Sequence, residues 1–172
     1  MTQISPPPAA NVRKTTRPTR APGVAAFAWA VIFALMSLYW AGGGMIGGDT
    51  LGAEIDRLAR LRDRSFIVSL WMAFALKALA ATLALALVQR WGRRLPRRLL
   101  LALAAATGAG ITLYAVANLT QHALMVTGVI DTPDALGTYA VAWHLAWWDP
   151  FWLVGGVLFL LATLMARRAR PR

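Results

Sequence analysis

The sequence predicts an all-α, polytopic membrane protein: a four-helix transmembrane bundle with a short amphipathic helix in its first external loop. Three observations predict it. Of 172 residues, 58% are hydrophobic. That apolar content gathers into four runs, each near the roughly 20 residues needed to cross about 30 Å of hydrocarbon. Of the 18 Lys and Arg, 13 fall in three segments that alternate along those runs with segments holding all 7 Asp and Glu. The net charge of +11 would by itself suggest a nucleic-acid partner. Such binding needs the charge on one contiguous face, and here hydrophobic spans divide it, so no nucleic acid is expected. With no cysteine in the chain, a disulfide scaffold, a thiolate nucleophile and any Cys-ligated zinc, haem or iron–sulfur site are excluded.

Residues 1–23 carry Pro6, Pro7, Pro8, Pro18 and Pro22 among small polar and basic residues. That composition cannot bury a core and predicts a disordered cytoplasmic tail. The apolar run that follows is too long for a cleaved signal peptide and lacks a clear cleavage site, so a retained signal-anchor is expected. The spans are expected at about 24–46, 66–88, 99–124 and 150–166, within a transmembrane domain over 24–166. A second basic cytoplasmic tail is expected at 167–172. Between the first two spans, Leu51, Ile55, Leu58 and Leu61 fall near helical spacing. Glu54, Asp56, Arg57, Arg60 and Asp63 lie opposite, which predicts a surface helix capped by Asp49 or Thr50. The third run is neutral from Leu99 to Ile130, so it must tilt, bend or project. Asp149-Pro150 combines a favoured N-cap with a favoured first helical residue and predicts that the fourth span starts there.

The basic residues define the orientation. Arg13, Lys14, Arg17 and Arg20 precede the first span; Arg90, Arg93, Arg94, Arg97 and Arg98 separate the second from the third; Arg167, Arg168, Arg170 and Arg172 follow the fourth. None of these segments contains an acid. The 47–65 loop is balanced, and the 131–149 loop holds Asp131, Asp134 and Asp149 without a base. Both termini are therefore expected in the cytoplasm, with the basic segments against anionic lipid headgroups.

Polar residues within the spans supply the candidates for function. Ala73, Ala80, Ala81 and Ala84 share the helical face of Lys77, while Met72, Leu76, Leu79, Leu83 and Leu87 lie around the other side. Small residues suit helix interfaces in lipid, so Lys77 is expected to point into the bundle. An intramembrane lysine is either a functional group or a tether to neutral acceptors, since no acid lies in any expected span. Thr107, Tyr114, Asn118 and His122 recur at i, i+7, i+11 and i+15, with Gln121 beside them. Tyr114 and Asn118 would lie nearest Lys77 in depth, for interhelical hydrogen bonding or for a hydrated pocket. His122 and His144 are the only histidines, and no carboxylate is spaced with either, so no metal and no cofactor is expected. Titration near neutral pH or interfacial hydrogen bonding remains for them. The Gly43/Gly47 and Gly44/Gly48 spacings predict packing of the first helix, against the fourth if any; no Lys-Ser/Thr follows to make a phosphate loop. Trp40, Trp71, Trp143, Trp147, Trp148 and Trp152 cluster toward the outer boundary, against Trp29 and Trp91 inside. This is an interfacial belt or an aromatic-lined pocket.

Ser37-Leu38-Tyr39-Trp40-Ala41-Gly42-Gly43 followed by Asp49-Thr50-Leu51-Gly52 resembles the first-helix signature of a family of small four-helix bacterial membrane proteins. That family is common in actinobacteria and carries a domain of unknown function. Lys77 in the second helix is similar too, as are Asn118, Gly128-Val129-Ile130, His144, Trp148-Asp149-Pro150-Phe151-Trp152 and Gly156. Trp147-Trp148 departs from the single Trp expected before Asp-Pro. The resemblance spans about residues 25–166 and implies a topology in a bacterial cytoplasmic membrane, not an activity. The expected function is non-enzymatic: binding of a small or lipidic ligand, or of a partner protein, in a Trp-lined pocket in the outer half. Its candidate residues are Tyr39, Trp40, Trp71, Lys77, Tyr114, Asn118, Gln121, His122, His144, Trp148 and Asp149. The alternative is a membrane-embedded enzyme or proton-coupled transporter using Lys77 with His122 or His144. No catalytic residue is assigned, and a homo-oligomer or a partner membrane protein stays open.

Overall fold

A computed structural model describes residues 20–168. The expected N-terminal tail lies outside the described residues up to residue 19, and the expected C-terminal tail from 169 onward. The described chain is helical, without a strand: α1 (Ala21–Ala41), α2 (Ala53–Arg60), α3 (Arg64–Val88), α4 (Arg97–Val126), α5 (Thr138–Trp143) and α6 (Asp149–Arg168). α1 starts three residues before the expected boundary because Pro22 sits in its first turn, where a missing N–H costs no hydrogen bond. α1, α3, α4 and the continuous helix Thr138–Arg168 are each long and apolar enough to cross a bilayer. The chain is thus a multi-pass membrane protein of all-α class.

α1 packs along α3, α4 packs along α6, and α1 against α6 joins the two pairs. Ala26, Trp29, Ala30, Phe33, Ala81, Ala84 and Phe159 form the core. With no hydrophobic drive between helices in lipid, close packing at small residues must hold them together. The α4–α6 seam illustrates this: a methyl group on Gly156 would stand 2.7 Å from the Thr112 amide nitrogen. On α3 the lipid-facing side is the expected one, with Met72, Leu76 and Leu79 exposed and Ala81 and Ala84 buried.

The bundle has two chemically different ends. At one, Arg97 Nη2 donates to the carbonyls of Ala166 (3.0 Å) and Arg167 (3.1 Å), tying the start of α4 to the end of α6. The start of α1 lies on the end of α3, at Gly23 against Val88. Eight of the twelve described arginines therefore gather at this end, and Arg57, Arg60, Arg62 and Arg64 lie at the other, beside acids. At the opposite end the two long connections meet: Ala53 N donates to Leu136 O (3.2 Å) and Glu54 N to Ala135 O (2.9 Å).

Three expectations at that far end are corrected. The glycine cluster does not pack helices. α1 stops at Ala41, and Gly43 and Gly47 have φ of +103° and +76°, so they turn the chain instead. The short amphipathic helix forms as α2, but its N-cap is Gly52 (φ +138°) rather than Asp49 or Thr50, which fall in a preceding 3₁₀ turn. Leu51, Ile55 and Ala59 face Trp40, Gly44 and Phe66 across a crevice of about 10 Å³. The helix of the fourth span does not start at Asp149, because a turn of π-helix, His144–Trp148, runs α5 straight into α6.

Candidate functional site

That π turn builds the site. In an α-helix, residues five apart lie about 140° from one another around the axis. An i→i+5 hydrogen bond stacks them instead, and Asp149 N–H bonds to His144 O in this way. Pro150 favours the wider turn: it has no N–H for the Ala146 carbonyl, and its ring would clash with that carbonyl in a regular helix. His144 and Asp149 consequently share a face. Asp149 stands 19 residues before Arg168, a rise of about 29 Å. The cluster thus lies roughly one hydrocarbon thickness from the basic end.

His122 of α4 meets them there. Its Nδ1–H donates to Asp149 Oδ2 at 2.6 Å. His144 Nδ1 lies 3.5 Å from Asp149 Oδ1, and its Nε2 lies 3.3 Å from Leu51 O. A carbonyl only accepts, so Nε2 carries a proton that it donates to Leu51 O. The two imidazoles are 4.6 Å apart at 32°. Asp149 is 1% exposed and His122 4%. The connection between α1 and α2 roofs the cluster: Trp148 Nε1 donates to Thr50 Oγ1 (3.0 Å), and Thr50 donates to Gly47 O (2.6 Å). Trp40 packs at 5.8 Å from Trp148, tilted by 58°, and donates to Ile46 O, while the Tyr39 hydroxyl accepts from Ile46 N.

The structure thus joins His122, His144, Trp148 and Asp149 directly, with Tyr39 and Trp40 at the roof. It overturns the expectation that neither histidine has a carboxylate: Asp149 serves both. Thr50, expected at most to cap a helix, and the carbonyl of Leu51 complete the set.

Lys77 points into the bundle as expected, but its partners are not on α4. Its ammonium donates to Ser37 Oγ at 2.7 Å and lies 3.4 Å over the Phe33 ring, with Trp152 at 5.8 Å. Ser37 is 1% exposed, and no periodicity marked it. The stripe on α4 is also divided. From Tyr114 to His122 the helix turns through about 80°, so His122 falls on the buried line of Gly108 and Ala115 while Tyr114 is exposed. Asn118 donates to its own helix at Tyr114 O rather than to a neighbour. Tyr114 meets Trp152 at 5.0 Å. Gln121 and Trp71 are exposed, Trp71 against Phe74, away from the cluster. Trp29, expected at the inner interface, is buried in the core and donates to Phe151 O at 2.9 Å.

No curated protein and no solved structure matches the chain. One family does match, over residues 30–159, a stretch that holds the second half of α1, all of α3 with Lys77, and the whole His122–His144–Asp149 cluster with its roof. The chain belongs to that family, described as protein of unknown function (DUF3995).

Proposed function

We propose that this is a non-enzymatic protein of the bacterial cytoplasmic membrane that binds a small ligand in its outer half, beneath the roof formed by Trp40, Thr50 and Trp148. One observation carries the reading. Asp149 is buried between two imidazoles, and among the described residues no lysine or arginine is paired with it. A buried carboxylate is expensive without a compensating charge. An aromatic rim around a few convergent polar groups is the usual form of a small-molecule site. The gathered arginines support both termini being cytoplasmic, with anionic headgroups as their partners. Relay chemistry through Lys77 has less support, because its ammonium is taken by Ser37 and Phe33 rather than by a histidine.

Native mass spectrometry of the chain, gently extracted from its membrane, tests the reading. A retained non-protein mass is expected on the wild type, lost in Asp149→Asn and reduced in Trp148→Ala. A wild type that carries no added mass, with or without lipid in the extraction, would count against it.

A further inference from the structure

We propose that His122, His144 and Asp149 form a site for one divalent first-row transition-metal ion of the zinc class. This deepens the binding reading above and rests on it. The three residues bring their ligand atoms within 4.8 Å of one another. Two imidazoles and one carboxylate are the donors that such ions take, whereas calcium and magnesium prefer oxygen alone.

The hydrogen-bond pattern points the same way. Leu51 O engages His144 Nε2, which orients the ring and frees Nδ1 as a ligand. Metal-bound histidines are ordinarily held by their other nitrogen in this manner. Nδ1 then faces Asp149 Oδ1 at 3.5 Å, and a cation can sit between the two. Ligand atoms about 2.0–2.2 Å from a tetrahedral zinc ion stand about 3.4 Å from each other, so this pair already has the right spacing. His122 Nδ1 and Asp149 Oδ2 are closer, at 2.6 Å, because a proton joins them. Metal binding at Nδ1 would shift the neutral ring to its Nε2–H tautomer, so the proton stays on the imidazole, and would open the pair by less than an ångström.

Charge and access agree as well. A dication on one carboxylate leaves a net +1, at the boundary and not in the hydrocarbon. The His144 side chain is 19% exposed while those of His122 and Asp149 are 6% and 2% exposed. Entry is therefore from the His144 side, and three protein ligands leave a fourth position for water or another small donor.

The test uses the full chain in detergent, purified without a histidine tag, stripped with chelator and titrated with Co²⁺ and then Zn²⁺. One Co²⁺ per chain is expected, with tetrahedral visible bands that Zn²⁺ abolishes. Asp149→Asn, His122→Ala and His144→Ala should each weaken binding at least tenfold, whereas Glu54→Gln on the surface should not. Should a variant misfold, X-ray absorption of zinc-loaded wild type decides, since imidazole scattering is expected and its absence overturns the site. Wild type that takes up no cobalt, or Asp149→Asn that binds it undiminished, overturns the proposal. If an organic mass is still retained in that case, only the metal assignment falls; if nothing is retained, the binding reading falls with it.

Discussion

Two ionisable side chains inside the bundle, buried Asp149 and half-buried Lys77, carry the residue-scale chemistry, and each is accommodated differently. Asp149 is enclosed by two imidazoles, Lys77 by one hydroxyl and one aromatic face. A hydrogen bond to a charged group is worth about 1.5–3 kcal/mol. Ser37→Ala should therefore destabilise the protein by about that much in detergent unfolding. Adding Lys77→Met should restore part of the loss, since the unpaired ammonium is then gone; full additivity would show that the pair is not coupled. Outside the membrane, Asp63 caps α3 by accepting from Phe66 N at 3.0 Å. The Ser65 hydroxyl and that amide hold its carboxyl below the usual range. A depressed carboxylate stabilises the fold above its unfolded pKa and loses that contribution as pH falls through its folded value. Acid unfolding of wild type and Asp63→Asn should accordingly converge below the ordinary carboxylate range and separate above it. The face of Lys77 was legible from Ala73, Ala81 and Ala84. Its acceptor was not, because periodicity gives a direction around one helix and says nothing about which helix lies opposite.

At the scale of elements, the π turn decides the site. The spans were legible because each is a long apolar run bounded by arginine or by turn residues. The cluster was not, for two separate reasons. His122 and Asp149 lie on different helices, and His144 and Asp149 are five apart, which reads as opposite faces of an α-helix. Asp149-Pro150 was a real signal of irregularity, yet a capped helix start and a proline-driven π turn share the same dipeptide. Pro150→Ala tests the local account. Alanine favours the helix interior by about 3 kcal/mol over proline, so the segment should relax toward regular α-helix and carry His144 away from Asp149. Cobalt retention should fall tenfold or more while thermal stability holds or rises. Loss of stability together with unchanged retention would show that the π turn does not depend on the proline.

For the whole molecule, the net charge of +11 is better understood as an axis than as a surface property. Most of the described arginines gather at one end and a buried carboxylate lies near the other. Green fluorescent protein fused to either terminus should fluoresce, and a periplasmic reporter inserted near residue 131 should be active; the reverse pattern would invert the assigned orientation. The helix pairing has a temporal consequence. α1 and α3 make one hairpin, complete once residue 88 has been synthesised, and they can settle together while the rest of the chain is still on the ribosome. α4 then enters without its partner, carrying His122 with no acid to face. Only when the last helix threads in do Asp149 and the roof close around that histidine. A chain truncated before α6 therefore keeps both imidazoles but lacks the carboxylate that joins them.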